Sequence, residues 1–141
     1  MIHAMHLKDE PFRKIESGTK TVELRLYDNK RRLIDVGDDI IFINLSNDSE
    51  RLAARVKALY RYPSFEDFFS DIAPEKCGFK NGESVEEAAA SMQKYYSKEQ
   101  ILHYGVLGIK IDLIPFENEL KILEDIDLSE LSDRYFPDGM K

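Results

Sequence analysis

The segment from Ile15 to Phe42 constrains the fold more than any other, because its pattern predicts two strands joined by turns. A turn signal at Ser17-Gly18 opens onto an alternating run whose apolar members are Val22, Leu24 and Leu26. Alternation with a period of two predicts a strand with one buried face. The opposite face then carries Thr21, Glu23 and Arg25, and Lys20 lies just before the strand at the mouth of the turn.

An acid between two bases on so short a strand has two interpretations. Charged side chains on a strand are commonly solvated, and they protect a sheet edge against aggregation. Alternatively, Lys20 and Glu23 form a functional pair, in which each favours the charged form of the other and Arg25 orients Glu23 or binds a ligand. A purely structural network of ion pairs would produce the same pattern. The basic cluster Lys30-Arg31-Arg32, which follows closely, favours a site.

Composition bounds the class of protein. A chain of 141 residues with 43% hydrophobic and 33% charged residues suits one globular domain. No apolar run approaches the roughly 20 residues of a membrane span, and the N-terminus lacks the apolar core of a signal peptide. We therefore expect a cytoplasmic protein that does not enter membranes. The single Cys77 supplies neither an internal disulfide nor a metal-ligand spacing, so we expect no metal and no cofactor.

Charge is unevenly distributed along the chain. Through Val36 there are eight Lys/Arg and six Asp/Glu, a balance of +2, so the remainder of this chain of net charge −7 carries −9. Binding to long duplexes requires the neutralisation of many phosphates, which an acidic chain does poorly. We therefore expect a short single-stranded RNA, a nucleotide or a nucleoside as the ligand, bound at one locally basic cleft.

Periodicity and turn signals predict five strands and four short helices. We expect strands over residues 2–7, 19–27, 40–45, 52–62 and 106–114. The first helix begins with an acidic cap near Asp9 and ends before Gly18, and three further helices follow one another between residues 64 and 104. One of these, over residues 84–95, begins with the capping-box sequence SVEE. Consecutive helices argue against a regular parallel sheet and favour a small mixed β-barrel.

Four parts of the sequence together resemble the ASCH domain family. The pattern G-x-K-x-x-E-x-R, present as Gly18, Lys20, Glu23 and Arg25, is similar to the family's signature, and PFRKIESG resembles the helix that leads into it. VGDDIIF resembles the second strand and YYSKEQILHYGVLGIKI the closing segment. The resemblance implies an α+β fold, a small mixed PUA-like β-barrel of five to six strands with several short helices packed on it. We assign residues 1–114 to this domain and residues 115–141 to an acidic C-terminal extension, an arm or a short helix.

The resemblance also implies an RNA- or nucleotide-binding module with a basic cleft around the signature. Bases stack on aromatic rings, and cations hold phosphate or carbonyl oxygen. Aromatic residues at helix ends are also commonly core packing. The candidate ligand-binding residues are Lys20, Glu23, Arg25, Arg31, Arg32, Tyr95 and Tyr96.

Two alternative functions stay open. A bacterial branch of the family deacylates N4-acetylcytidine with a Lys, a Thr and a Glu, and ribonuclease activity is a further possibility within the family. Lys20 stands at the position of that Lys, whereas Glu23 stands where the branch has Thr, so Lys20 and Glu23 are the catalytic candidates only if this chain is an enzyme. The sequence does not place a third acid, for which Glu66, Glu75, Glu86, Glu87 and Glu99 compete. The other alternative is a protein-interaction module that uses the acidic extension.

Overall fold

A mixed sheet of five strands curls into a half-barrel in the computed structural model, which describes residues 1–115. The strands are β1 (Ile2–Leu7), β2 (Val22–Leu26), β3 (Asp39–Asn44), β4 (Arg51–Tyr62) and β5 (Val106–Leu113). The helices are α1 (Asp9–Glu16), α2 (Phe65–Asp71), α3 (Val85–Ser91) and α4 (Lys98–Tyr104), with 3-10 turns at Arg31–Leu33, Pro74–Cys77 and Met92–Lys94. The predicted α+β class and the small mixed sheet are confirmed.

The strand order is β1-β3-β4-β5-β2, so β1 and β2 form the two edges of the sheet. β1 pairs with β3 in parallel, and the other three pairings are antiparallel. β5 is a central strand, as its apolar sequence predicts. The gap between the edges of β1 and β2 is termed the seam below, and it is where the half-barrel opens.

Hydrophobic side chains cover both faces of the sheet. On one face, α1 contributes Phe12 and Ile15 to a cluster with Phe42, Leu107 and Ile109. On the other face, α2 and α3 pack against the alternating apolar residues of β2. Side chains directly opposite in an antiparallel pair share a face, and Glu23 and Arg25 are opposite Ile109 and Leu107. The charged residues of β2 therefore point toward the first cluster, inside the half-barrel.

Gly108 of β5 allows α2 to approach the sheet closely. A Cβ atom at this position would lie 2.4 Å from Cε2 of Phe68, a fully buried side chain. Real Cβ atoms do not approach a ring so closely, so the ring of Phe68 occupies the space that any larger residue would need. The second hydrophobic cluster thus depends on the absence of a side chain here.

The signature strand is shorter than the sequence predicts. β2 begins at Val22 rather than Thr19, because the backbone N–H groups of the two preceding residues bond to other segments. The N–H of Lys20 donates to the Lys14 carbonyl at 2.9 Å, and the N–H of Thr21 donates to the Lys76 carbonyl at 2.8 Å. These bonds fix the approach of Lys20 to the strand and connect the signature to the Pro74–Cys77 turn.

Two predicted helix caps also differ from the structure. Lys8 is the cap of α1 and makes no side-chain bond there, so Asp9 and Glu10 lie in the first turn instead. The hydroxyl of Ser84 accepts from the Glu87 N–H, but the reciprocal capping-box bond is found at Ser97 in α4. The helix predicted to reach Tyr95 ends at Ser91 and continues as a 3-10 turn.

The C-terminal extension predicted from residue 115 lies outside the described residues, apart from Pro115. Among residues 1–115, no helix is both long and apolar enough to cross a bilayer.

Candidate functional site

A cavity of about 550 Å³ opens at the seam, between the end of β1 and the edge of β2. Its walls come from His6 and Leu7 of β1, from α1, from the segment of residues 77–80 and from the region of residues 91–96. Lys20, Glu23 and Arg25 all line it, so the structure brings the three signature side chains together in one concave place. Lys20 and Glu23 are close enough to pair, as the sequence predicts.

Glu23 is the centre of a buried ion-pair network. Its Oε1 atom lies 2.8 Å from Nζ of Lys20 and accepts the Leu24 N–H at 3.0 Å. Its Oε2 atom accepts from Nε and Nη2 of Arg25, each at 3.3 Å. Glu23 and Arg25 are each only 3% exposed. Both carboxylate oxygens already accept bonds from neighbouring residues. Glu23 therefore holds Lys20 and Arg25 in place and has little capacity to bind a ligand itself.

The register of β2 explains this arrangement. The Thr21 carbonyl accepts from Ile111 of β5 at 3.0 Å, and hydrogen-bonded pairs recur at every second residue of an antiparallel ladder. The backbone of Glu23 therefore bonds to β5, while the N–H and carbonyl of Leu24 face the seam. The Glu23 carboxylate satisfies that edge N–H. Nη2 of Arg25 donates to the His6 carbonyl at 3.2 Å, so one side chain bridges the two edge strands.

The network keeps Glu23 ionised. Burial acts to raise the pKa of this carboxyl, but the charges of Lys20 and Arg25 and the bonds to Lys20 and Leu24 outweigh it and lower the pKa to about 2. Cys77, also in the cavity wall, behaves oppositely. Burial is the largest influence and raises the pKa of the Cys77 thiol to about 12, so Cys77 is not a thiolate nucleophile at neutral pH.

The cavity carries an excess of positive charge. Among residues 1–115, six Lys/Arg side chains line it against three Glu side chains, a balance of +3, whereas the whole chain has a net charge of −7. The cations are Lys8, Lys14, Lys20, Arg25, Lys80 and Lys94, and the acids are Glu10, Glu23 and Glu83. Tyr95 is half-buried at the same opening, with Nζ of Lys8 5.7 Å from the centre of its ring.

Of the remaining predicted site residues, Tyr96 lines the cavity, whereas Arg31 and Arg32 lie outside it. Tyr96 borders the cavity but is only 3% exposed, and its ring stacks on Phe65 at 6.1 Å, so it is largely core packing. Arg31 and Arg32 are not among the residues that line the cavity. Arg31 is buried and pairs with Asp28, and Arg32 lies over the ring of Tyr27.

Sequence reasoning missed the residues at the opening of the cavity. Lys8, Lys94 and the pair Lys80 and Glu83 come from three separate segments of the sequence, and their spacing gives no signal that they line one cavity. Lys14 had a local signal, because Glu10 one helical turn earlier pairs with it at 3.0 Å. The five acids weighed as a third catalytic group all lie outside the cavity lining. Within residues 1–115, no three His, Cys, Asp or Glu side chains are grouped to hold a metal ion.

The family model of the ASCH domain matches residues 5–115, and this chain belongs to that family. It is similar to the hypothetical protein PH0355, whose crystal structure shares 34% identity with a TM-score of 0.71 over 81% of this chain and 100% of that one. It is also similar to protein PF0455 from Pyrococcus furiosus, with 31% identity and a TM-score of 0.64 over 82% of this chain and 100% of that chain.

A more distant likeness supports the fold alone. The ASCH protein from Zymomonas mobilis shares 13% identity, with a TM-score of 0.56 over 89% of this chain and 81% of that one. No curated protein matches the chain.

Proposed function

We propose that this ASCH domain binds a nucleotide unit of single-stranded RNA in the cavity at the seam. The observation that carries the proposal is the excess of positive charge that the described residues place in the cavity of an acidic chain, whose wall includes the Lys20–Glu23–Arg25 network. RNA-binding is the function that the ASCH resemblance implies. A volume of about 550 Å³ falls in the range of small-ligand sites and suits one nucleotide rather than a duplex.

The residues divide into those that position and those that contact the ligand. Glu23 and Arg25 are positioning residues, because the carboxylate is saturated by its neighbours and the guanidinium ties β2 to β1. Lys20 has three ammonium donors, and its contact with Glu23 leaves others to face the cavity. Tyr95 offers a ring for stacking, while the exposed Lys80 and Lys94 attract phosphate.

A nucleoside-directed hydrolase is the second candidate, because Lys20 and Glu23 are in contact inside a cavity. Two features make it weaker. A carboxylate whose pKa is about 2 is a poor general base at neutral pH. Thr21, the hydroxyl residue nearest in sequence to position 23, is not part of the cavity lining. The protein-interaction alternative depends on the acidic extension, outside the described residues.

The binding proposal is tested by charge reversal at the opening of the cavity. Lys80→Glu combined with Lys94→Glu should weaken binding of a four-nucleotide RNA at least tenfold, as measured by fluorescence anisotropy at physiological salt. Lys57→Glu combined with Lys110→Glu makes the same change of charge on exposed strand residues outside the cavity and should leave affinity within about threefold. Equal losses in the two variants, or tighter binding of random duplex DNA than of the RNA, would contradict the proposal.

Lys20→Ala separates the two candidate functions. In a binding module it weakens RNA binding by about 1–3 kcal/mol and there is no turnover to lose. In a hydrolase it abolishes product formation while substrate still binds, because a catalytic group acts mainly in the transition state. Mass spectrometry after incubation with N4-acetylcytidine and with short RNA distinguishes them. Release of acetate or RNA fragments by the wild type, lost in Lys20→Ala, would show that the hydrolase is correct.

A further inference from the structure

A second basic and aromatic surface lies beside the cavity. It consists of Tyr27, Arg32 and Arg61 and is termed the platform below. The guanidinium carbons of Arg61 and Arg32 lie 4.0 and 4.9 Å from the centre of the Tyr27 ring. Nε of Arg32 also donates to the Tyr27 carbonyl at 3.4 Å. Both arginines are exposed, whereas Tyr27 is half-buried against the inner hydrophobic cluster.

The strand register places the platform next to the cavity. Arg25, Leu107 and Arg61 are partners across β2, β5 and β4, so they form one row on the same face of the sheet. Tyr27 follows Arg25 by two residues and continues the ladder through its N–H bond to the Gly105 carbonyl. Two strand residues span about 7 Å. The platform therefore adjoins Arg25, which is part of the cavity wall.

No carboxylate of the described residues neutralises the two arginines of the platform. Because both guanidinium carbons lie close to one ring centre, they are no more than about 9 Å apart. Within residues 1–115, neither forms an ion pair with a carboxylate, in contrast to Arg13 with Glu50 and Arg55 with Asp39. Two like charges held this near repel each other, and a bound anion relieves that repulsion. A guanidinium stacked on an aromatic ring still presents its N–H edge, which matches phosphate.

We propose that the platform binds a phosphodiester group about two nucleotides along the strand from the nucleotide that occupies the cavity. The inference rests on the proposed function and extends it, because the ligand becomes a single-stranded oligonucleotide rather than a free nucleoside. The step of about 7 Å from Arg25 to Tyr27 corresponds to roughly two stacked nucleotides at about 3.4 Å each. Tyr27 holds the guanidinium groups in place, and Arg32 and Arg61 contact the phosphate.

The test compares two ligands on matched variants. Arg32→Gln combined with Arg61→Gln should weaken binding of a six-nucleotide single-stranded RNA at least tenfold and leave binding of cytidine monophosphate within about twofold. The slope of log affinity against log salt for the six-nucleotide RNA should fall by about 1. Arg51→Gln combined with Arg55→Gln removes two charges from β4 outside the cavity and the platform, and should change neither affinity. Thermal unfolding checks the fold, and Arg61→Gln alone, with an expected loss of about threefold or more, replaces the double variant if that variant unfolds.

The outcomes separate this inference from the proposed function. If the platform variant binds the six-nucleotide RNA as tightly as the control, while Lys80→Glu with Lys94→Glu weakens both ligands, the inference is wrong and the proposed function stands. If the cavity variant weakens neither ligand, the proposed function fails and the inference with it. Competition by a hexaglutamate peptide as effective as the RNA itself would show an acidic protein partner and overturn the inference.

Discussion

At the scale of single residues, the central feature is the Glu23 carboxylate, which holds the side chains around it in position. Glu23 accepts hydrogen bonds from Lys20, Leu24 and Arg25 while almost fully buried. A buried ion pair contributes little net stability compared with well-packed apolar residues, but the loss of one partner leaves a charge buried without compensation. Glu23 therefore fixes the positions of two cations at the cavity more than it stabilises the fold.

Glu23→Gln should lower the free energy of unfolding by about 3–5 kcal/mol at pH 7, because the buried carboxylate that pairs with both Lys20 and Arg25 is lost. The change also has a pH signature. Since the pKa of Glu23 is about 2 in the folded chain and ordinarily 4.5, the unfolded chain binds a proton more readily between these values. The stabilisation is present above about pH 4.5 and is lost as pH falls toward 2.

Urea unfolding between pH 2.5 and 7 measures this difference. The gap in stability between wild type and Glu23→Gln should narrow as the pH falls. Asp38, whose pKa is also about 2 because its bonds to His3, Asp35 and the N-terminus outweigh the opposing effect of burial, adds an equal pH dependence to both proteins. Glu66→Gln, at an exposed helix position, is the control and should change stability little. A gap that stays constant down to pH 2.5 would show that Glu23 is not held ionised by its neighbours.

At the scale of elements, the sequence predicts β2 well and its surroundings poorly. Alternation places Val22, Leu24 and Leu26 on one face and Glu23 with Arg25 on the other, as the structure has them. The alternating pattern does not reveal that the charged face is also covered, because α1 and β1 pack over it only in the tertiary structure. The β2 start was misplaced for the same reason, since the partners of Lys20 and Thr21 are Lys14 and Lys76.

The packing of α2 on β5 gives a test at this scale. Gly108→Ala should destabilise the protein by about 1–3 kcal/mol, because the new methyl group would overlap the buried ring of Phe68. Gly37→Ala is the matched control. Its φ is +94° with nothing within 4 Å of the added atom, so its cost is backbone strain alone, about 1 kcal/mol.

Thermal and urea unfolding of the two alanine variants decide the matter. The Gly108→Ala variant should be less stable than the Gly37→Ala variant. Replacing the ring of Phe68 by the smaller leucine side chain should make room for the new methyl group and restore part of the lost stability. Phe68→Leu combined with Gly108→Ala should therefore lose less than the sum of the two single changes. Strict additivity would mean that the ring and the glycine do not share the space that the structure assigns to them.

At the scale of the whole molecule, fold and site differ in how much of them the sequence reveals. The α+β class and the order of elements follow from local periodicity and turn residues. The signature residues Lys20, Glu23 and Arg25 were found because they are close in sequence. The lysines at the cavity opening were not, because Lys8, Lys80 and Lys94 meet only when β1, β2 and the helical segment fold together. Arg32 was predicted to line the cleft but lies on the platform. The turn that follows β2 places it over the ring of Tyr27, outside the cavity.

The distribution of charge over the surface is likewise a property of the folded molecule and not of the sequence alone. An acidic chain places +3 at one concave opening and two further unpaired arginines beside it, within residues 1–115. Binding of a long duplex requires the neutralisation of many phosphates, which a chain of net charge −7 does poorly, whereas a short single strand requires only the positive opening. We therefore expect the ligand to contact the seam itself.

Nuclear magnetic resonance of the ¹⁵N-labelled full chain, titrated with a four-nucleotide single-stranded RNA, tests this expectation most directly. The largest shifts should fall on backbone amides at the cavity, those of Leu24, Arg25, Gly78, Phe79 and Tyr95, and should disappear in Lys80→Glu with Lys94→Glu. Saturable shifts confined to residues outside the cavity and the platform, with the amides of Leu24 and Gly78 unmoved, would contradict the claim that the seam is the binding site.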